Sequence, residues 1–232
     1  MNLQDHDKRA RSAIFSRLRG ASAGKPVETP DVAAYFRERA QPAAGESRRE
    51  RFMRNASNWR AEIVECGEAE WPARLADVIA RKNLQRIAVG RNTSIGWTLS
   101  AMLPAERLFW YEQDLAEVKA ELFNHIDAGI TTTIGGVAET GSLLLWPTPA
   151  EPRTLSLIPP LHIALLFEDQ IHETLFDAMR EHQWAQRMPT NLLLVTGPSK
   201  TADIQRMLVY GAHGPKELVI LLVSRKAQEA AL

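Results

Sequence analysis

The sequence predicts an α/β protein with a mostly parallel sheet covered on both faces, preceded by a helical arm. Three observations carry this expectation. From residue 61 onward, short apolar runs alternate with helical patterns, the mark of βαβ units. Two of those runs, NLLLV and ELVILLV, are apolar throughout, as strands buried on both faces are. The first 60 residues, by contrast, are charge-dense and hold almost no strand-like run.

The arm, residues 1–60, places Ile14, Phe15 and Leu18 at helical spacing, and Thr29 with Pro30 suits a helix start. RAQPAAGES is rich in small residues, Pro and Gly and reads as a hinge or loop. The α/β domain, residues 61–232, begins with the strand AEIVEC and a helix over 71–80. The strand RIAVG, a helix over 94–102, the strand RLFWYE and a helix over 115–124 follow. ITTTIGG, GSLLLW, LSLIPP and LHIALLF then run on without a helix, which suggests a hairpin or bent ribbon inserted in the α/β frame. Order returns to βα with a helix over 171–186, the strand NLLLV, a helix over 202–210 and the closing strand ELVILLV.

At 232 residues and 45% hydrophobic content the chain can bury one sizeable core. Its 28 basic and 28 acidic side chains cancel, so no net field draws a polyanion and nucleic acid is a poor partner. A homo-oligomer or a neutral partner surface is compatible with that charge. A single cysteine, Cys66, allows no intramolecular disulfide and supplies too few thiolates for an iron–sulfur or Cys-ligated metal site within this chain. The opening residues lack the apolar core of a signal peptide. The most apolar runs are interrupted by proline and histidine, or are too short for a bilayer of about 30 Å. A cytoplasmic location without a membrane span is therefore expected.

Three segments could carry chemistry. In NLLLVTGPSKTADIQ a strand ends at Thr196 and Gly197 and a polar loop feeds the expected helix. Ligands of open α/β sheets gather at strand carboxyl ends, and a helix N-terminus there favours anions. Gly197, Ser199, Lys200, Thr201 and Asp203 are thus ligand-binding candidates. The plainer reading has Ser199 or Thr201 capping the helix and Lys200 solvated. The spacing of a Walker A loop is not met. In GAHGP, Gly211 and Gly214 flank His213, a candidate acid/base or ligand contact; a helix-ending turn explains the glycines alone. In ITTTIGGVAETG, Gly135 and Gly136 allow close backbone approach, Thr140 adds a hydroxyl, and Glu139 is the candidate nucleophile or base. An exposed hairpin glutamate would have the same sequence.

His162 lies in an apolar run and is expected to be a hydrogen-bonded core histidine. His6, His125, His172 and His182 suggest nothing sharper, and no histidine stands at a metal-ligand spacing, so no metal is expected. Dinucleotide, serine-hydrolase and zincin fingerprints are missing.

The combination AETGSLLL, PPLHIALL, TGPSKTADIQ and GAHGPKEL resembles the lactate-utilisation (LUD) domain family from about Gly129 to the last strand. The resemblance implies a three-layer α/β/α fold of the sugar-isomerase and CoA-transferase-like type. It also implies a cluster-free subunit, with no cofactor in this chain, acting with two iron–sulfur partner proteins that oxidise L-lactate to pyruvate. The positions shared with the family are Glu139, Thr140, Gly141, His162, Gly197, Ser199, Thr201, Ala202, Asp203, His213 and Gly214. The chain departs from the family pattern at Ser142, Lys200 and Gln205. A lysine at position 200 makes a bidentate arginine contact to a carboxylate dispensable there. Two alternatives stay open: an independent acyl/CoA-transferase-like or sugar-phosphate enzyme using Glu139, and a metabolite-sensing scaffold whose arm docks a partner.

Overall fold

The computed structural model describes residues 3–21, 30–39, 42–112, 114–202 and 208–225. The chain divides into two compact units, Met1–Tyr35 and Phe36–Leu232. In the first, α1 (Leu3–Ala21) leaves Ile14 and Phe15 exposed, with the Arg11 guanidinium over the Phe15 ring. Thr29 lies outside the described residues, and α2 (Val32–Arg39) runs across the division.

The second unit opens with α3 (Arg48–Asn58), started by a capping box in which Ser47 and Glu50 satisfy each other's backbone amides. α3 lies within this second unit, on the arm side of residue 60. β1 (Ala61–Gly67), α4 (Trp71–Arg81), β2 (Ile87–Val89), α5 (Ser94–Met102), β3 (Leu108–Trp110), α6 (Leu115–Asn124) and β4 (Ala128–Thr132) follow in alternation. Next come β5 (Gly135–Val137), β6 (Ser142–Leu145), α7 (Thr154–Leu157), β7 (Leu161–Phe167), β8 (Ile171–His172), α8 (Leu175–Glu181) and α9 (Trp184–Arg187). The chain ends with β9 (Leu193–Val195), β10 (Lys200–Ala202), β11 (Leu208–Tyr210) and β12 (Glu217–Ser224).

Six strands form an all-parallel sheet in the order β1-β12-β7-β4-β2-β3. Because side chains alternate across a strand, β12 sends Val219, Leu221 and Val223 into one core and Leu218, Ile220 and Leu222 into another. The first core packs under α4 and α5 through Leu75, Ile79, Ile95 and Leu99. The second is closed by Phe52 and Ala56 of α3 and by Leu143 and Leu145 of a second sheet, ordered β8-β5-β6-β9. The opposite face of that smaller sheet meets Ala178 and Trp184 of α8 and α9. The result is a three-layer α/β architecture with the expected ribbon inserted between β4 and β7.

Four local expectations are corrected. LSLIPP forms the short helix α7 instead of a strand, where Pro159 and Pro160 remove the amides a ladder needs. The helix over 171–186 is a two-residue strand and two short helices, broken where Gln183 adopts φ 53°. NLLLV is not a strand of the large sheet; β9 is an edge of the small sheet, with Leu194 exposed. The helix over 202–210 does not hold at its described ends: Ala202 and Leu208–Tyr210 are strand residues of the antiparallel pair β10 and β11, with Lys200 opposite Tyr210 and Thr201 opposite Val209, while residues 203–207 lie outside the described residues. Thr201 and Val209, β-branched residues opposite one another, favour the strand there.

Candidate functional site

With Lys200–Ala202 in a strand, the helix N-terminus expected at Thr201 and Ala202 to bind an anion does not form at those residues. Ser199 is held through its backbone instead: its amide donates to the Pro215 carbonyl, and its own carbonyl accepts from Gly211, at 2.8 Å each. Asp203 lies outside the described residues. Thr201 sits in the β10–β11 ladder, and Gly214 packs its Cα against the Ser199 side chain. His213 is exposed on this turn and does not line the groove described next. Gly136 is part of the core: a Cβ there would stand 2.9 Å from the Phe52 ring.

The remaining candidates meet at the end of α3. The groove there has two lobes, of about 540 and 680 Å3, which share Asn58, Trp59, Leu194 and Thr196 as lining residues. One lobe adds Arg60, Gly197, Lys200 and Tyr210. The other adds Asn55, Glu139, Thr140, Ser142 and Leu175. Since Arg60 immediately precedes β1, the groove opens beside the amino end of an edge strand, not at the carboxyl ends of the large sheet. At the carboxyl ends of β2 and β4 the loop 147–153 packs instead. A Cβ on Gly90 would come 2.0 Å from the Ala150 carbonyl oxygen. The Glu151 carboxylate accepts from the amide and hydroxyl of Thr132, and burial raises its pKa.

The groove's walls are tied together through the backbone. Asn55 Nδ2 donates to the carbonyls of Ala138 (2.8 Å) and Glu139 (3.0 Å), while the Glu139 amide donates to Glu173 on the other side. Gly141 makes this possible: at φ 71° its Cα lies so near α3 that a Cβ would fall 2.2 Å from the Ala56 nitrogen. Gly197 plays the same part at the far wall, where a Cβ would be 2.4 Å from the Trp59 carbonyl oxygen. β8 braces the turn through the His172 carbonyl, which accepts from Ala138. His172, whose imidazole burial holds below its ordinary pKa, pairs with Glu181 and packs edge-on against His182. Neither histidine carries a signal in the sequence that marks it for this role.

Within the groove, Thr140, Ser142 and Thr196 form a chain of three hydroxyls with 2.8 Å steps. Among the described residues the Glu139 carboxylate has no hydrogen-bond or ion-pair partner, and neither Arg60 nor Lys200 has a carboxylate partner. Arg60 instead lies over the Tyr210 ring at 4.6 Å, and the Lys200 ammonium stands 5.9 Å from the Trp59 centroid. A carboxylate at one end, two cations without a carboxylate partner among the described residues at the other and a half-exposed indole between them suit an anion with an apolar or aromatic body. Sequence reasoning missed Trp59 and Arg60 because they fell in the arm. No sequence signal marked them; the structure places them at the turn into β1, where Arg60 adopts φ 67°.

His162 is buried as expected, its Nε2 sharing a 2.9 Å hydrogen bond with Thr131 Oγ1. Burial lowers its pKa from the ordinary 6.5 to about 3, so the imidazole is neutral in the fold but protonates in the unfolded chain. Its contribution is complete above pH 6.5 and is lost progressively as pH falls towards 3. Unfolding free energy in that window should fall by up to about 1.4 kcal/mol per pH unit more in the wild type than in His162→Leu, measured by denaturant titration. Equal pH slopes in the two proteins would show that this imidazole is not neutral in the fold.

A family model described as LUD domain matches residues 49–223, the stretch that carries α3, both larger sheets and the groove. An uncharacterized protein of Neisseria meningitidis is 37% identical over 220 residues, covering 92% of this chain and 93% of that protein. Lactate utilization protein C of Exiguobacterium is 28% identical over 187 residues, covering 78% and 80%; that of Deinococcus radiodurans is 30% identical over 164 residues, covering 70% and 73%. The crystal structure of a DUF162 family protein from Deinococcus radiodurans superposes with a TM-score of 0.58 at 25% identity, covering 77% of this chain and 99% of that one.

Proposed function

The chain belongs to the LUD domain family, and from that premise we propose that it is the cluster-free subunit of an L-lactate-oxidising system. Its relatives named lactate utilization protein C support a role in lactate utilisation. In the finer reading, L-lactate gives up two electrons and two protons to become pyruvate, and iron–sulfur partner proteins take the electrons. Cys66 is the observation that carries the division of labour. It is the one cysteine of the chain, buried on β1 with its pKa raised by burial, and a single buried thiol supports a subunit that leaves cluster ligation to its partners. The groove is the place where this subunit engages an anionic ligand, with Lys200 and Arg60 as the cations and Glu139 opposite.

Co-purification with iron–sulfur partners, followed by lactate-dependent dye reduction with and without this chain, tests the reading. The expected result is a complex whose activity falls at least tenfold when the chain is omitted. No co-purification together with unchanged dye reduction would refute it. A covalent adduct formed with a thioester and lost in Glu139→Gln would favour an independent transferase instead.

A further inference from the structure

We propose that the groove is a mononucleotide-class site, which stacks an aromatic heterocycle on Trp59 and holds its phosphate against Lys200 and Arg60. This rests on the groove being the functional site and names the class of ligand it takes. Size is the first argument. Lobes of about 540 and 680 Å3 fall within the range of roughly 300–1,000 Å3 that accommodates drug-sized ligands, whereas lactate, with a handful of atoms, would leave most of either lobe filled with water. A ligand matched to this groove is elongated and has distinct ends.

The chemistry along the groove identifies those ends. Trp59 lines both lobes and keeps about half of its surface exposed, an aromatic surface flanked by Leu194 and shared by the two lobes. Such a face is a stacking platform for a planar ring, since every base has a π-face to offer. The Lys200 ammonium lies 5.9 Å from the same indole and Arg60 is parked on Tyr210 in the same lobe. A phosphate attached to a ring on Trp59 would thus meet two cations that have no carboxylate partner among the described residues. In the other lobe, the unpartnered Glu139 carboxylate and the Asn58 amide are placed to meet the edge of the ring. The net charge of zero favours a single nucleotide over a polyanion, whose binding draws on a broad positive field.

Isothermal titration of the full chain tests this with AMP, adenosine, inorganic phosphate, L-lactate and a short single-stranded oligonucleotide. AMP is expected to saturate one site, with adenosine and phosphate each at least tenfold weaker. Trp59→Leu should weaken AMP about tenfold or more while Trp59→Phe, which keeps a ring, retains most of the affinity. Lys200→Gln with Arg60→Gln should weaken AMP and leave adenosine unchanged. Absence of saturable AMP binding, AMP binding indifferent to Trp59→Leu, or an oligonucleotide that binds more tightly than AMP would each overturn the proposal. Saturation by L-lactate without AMP would overturn the nucleotide class and leave the groove standing. If no probe binds and the groove variants support full lactate-dependent dye reduction, the groove reading falls with it.

Discussion

Gly141→Val is expected to destabilise the second unit by about 3 kcal/mol or more. Two effects combine. A non-glycine residue at φ 71° costs roughly 1–3 kcal/mol in backbone strain. The new Cβ would also sit 2.2 Å from the Ala56 nitrogen and 2.6 Å from the Asn55 carbonyl carbon. Both are backbone atoms that cannot swing aside, so overpacking adds roughly 1–3 kcal/mol. Relief requires α3 to move away from the β5–β6 turn, which breaks the Asn55 bonds to Ala138 and Glu139 and opens the groove. In a chain of this size each kcal/mol shifts Tm by about 2–4 °C, so a drop of roughly 10 °C is expected by calorimetry. A change of under about 2 °C would mean that α3 does not lie on that turn.

Phe52→Ala is expected to cost about 3–5 kcal/mol, because the ring is fully buried in the core beneath α3 and its removal leaves a cavity. Its contact with Gly136 supplies an internal control. Gly136→Ala alone should destabilise, since its Cβ meets the Phe52 ring at 2.9 Å and Leu166 at 3.1 Å. Placed in the Phe52→Ala background, the same methyl enters space the ring has vacated. The double variant should therefore lose less than the sum of the single losses, by about 1 kcal/mol. Strict additivity in denaturant unfolding would separate the two residues.

The large sheet was legible because its strands are apolar on both faces; β7 and β12 follow the sequence patterns almost residue for residue. What was not legible is what depends on partners distant in sequence. NLLLV has the composition of a central strand, yet β9 is held by the β6 register, and Leu194 faces the groove. TADIQRMLVY has the local pattern of a helix, but its described ends are strands, and the Arg60–Tyr210 contact and the backbone ties of Ser199 join residues 12–150 places apart. In the site, Glu139, Thr140, Gly197 and Lys200 were found from motif chemistry and do come together. His213 and Gly136 carry equally suggestive neighbours, but the first stays on an exposed turn and the second packs under Phe52. Trp59 escaped notice because nothing in a charged arm signals that its last helix will form one wall of a groove.

If the groove at the end of α3 is where this LUD-family chain acts, lactate-dependent dye reduction by the assembled system carrying Arg60→Gln and Lys200→Gln reports it. With folding verified by an unchanged Tm, activity is expected to fall at least tenfold while the partners still co-purify. Full activity in that variant, with the complex intact, would contradict it.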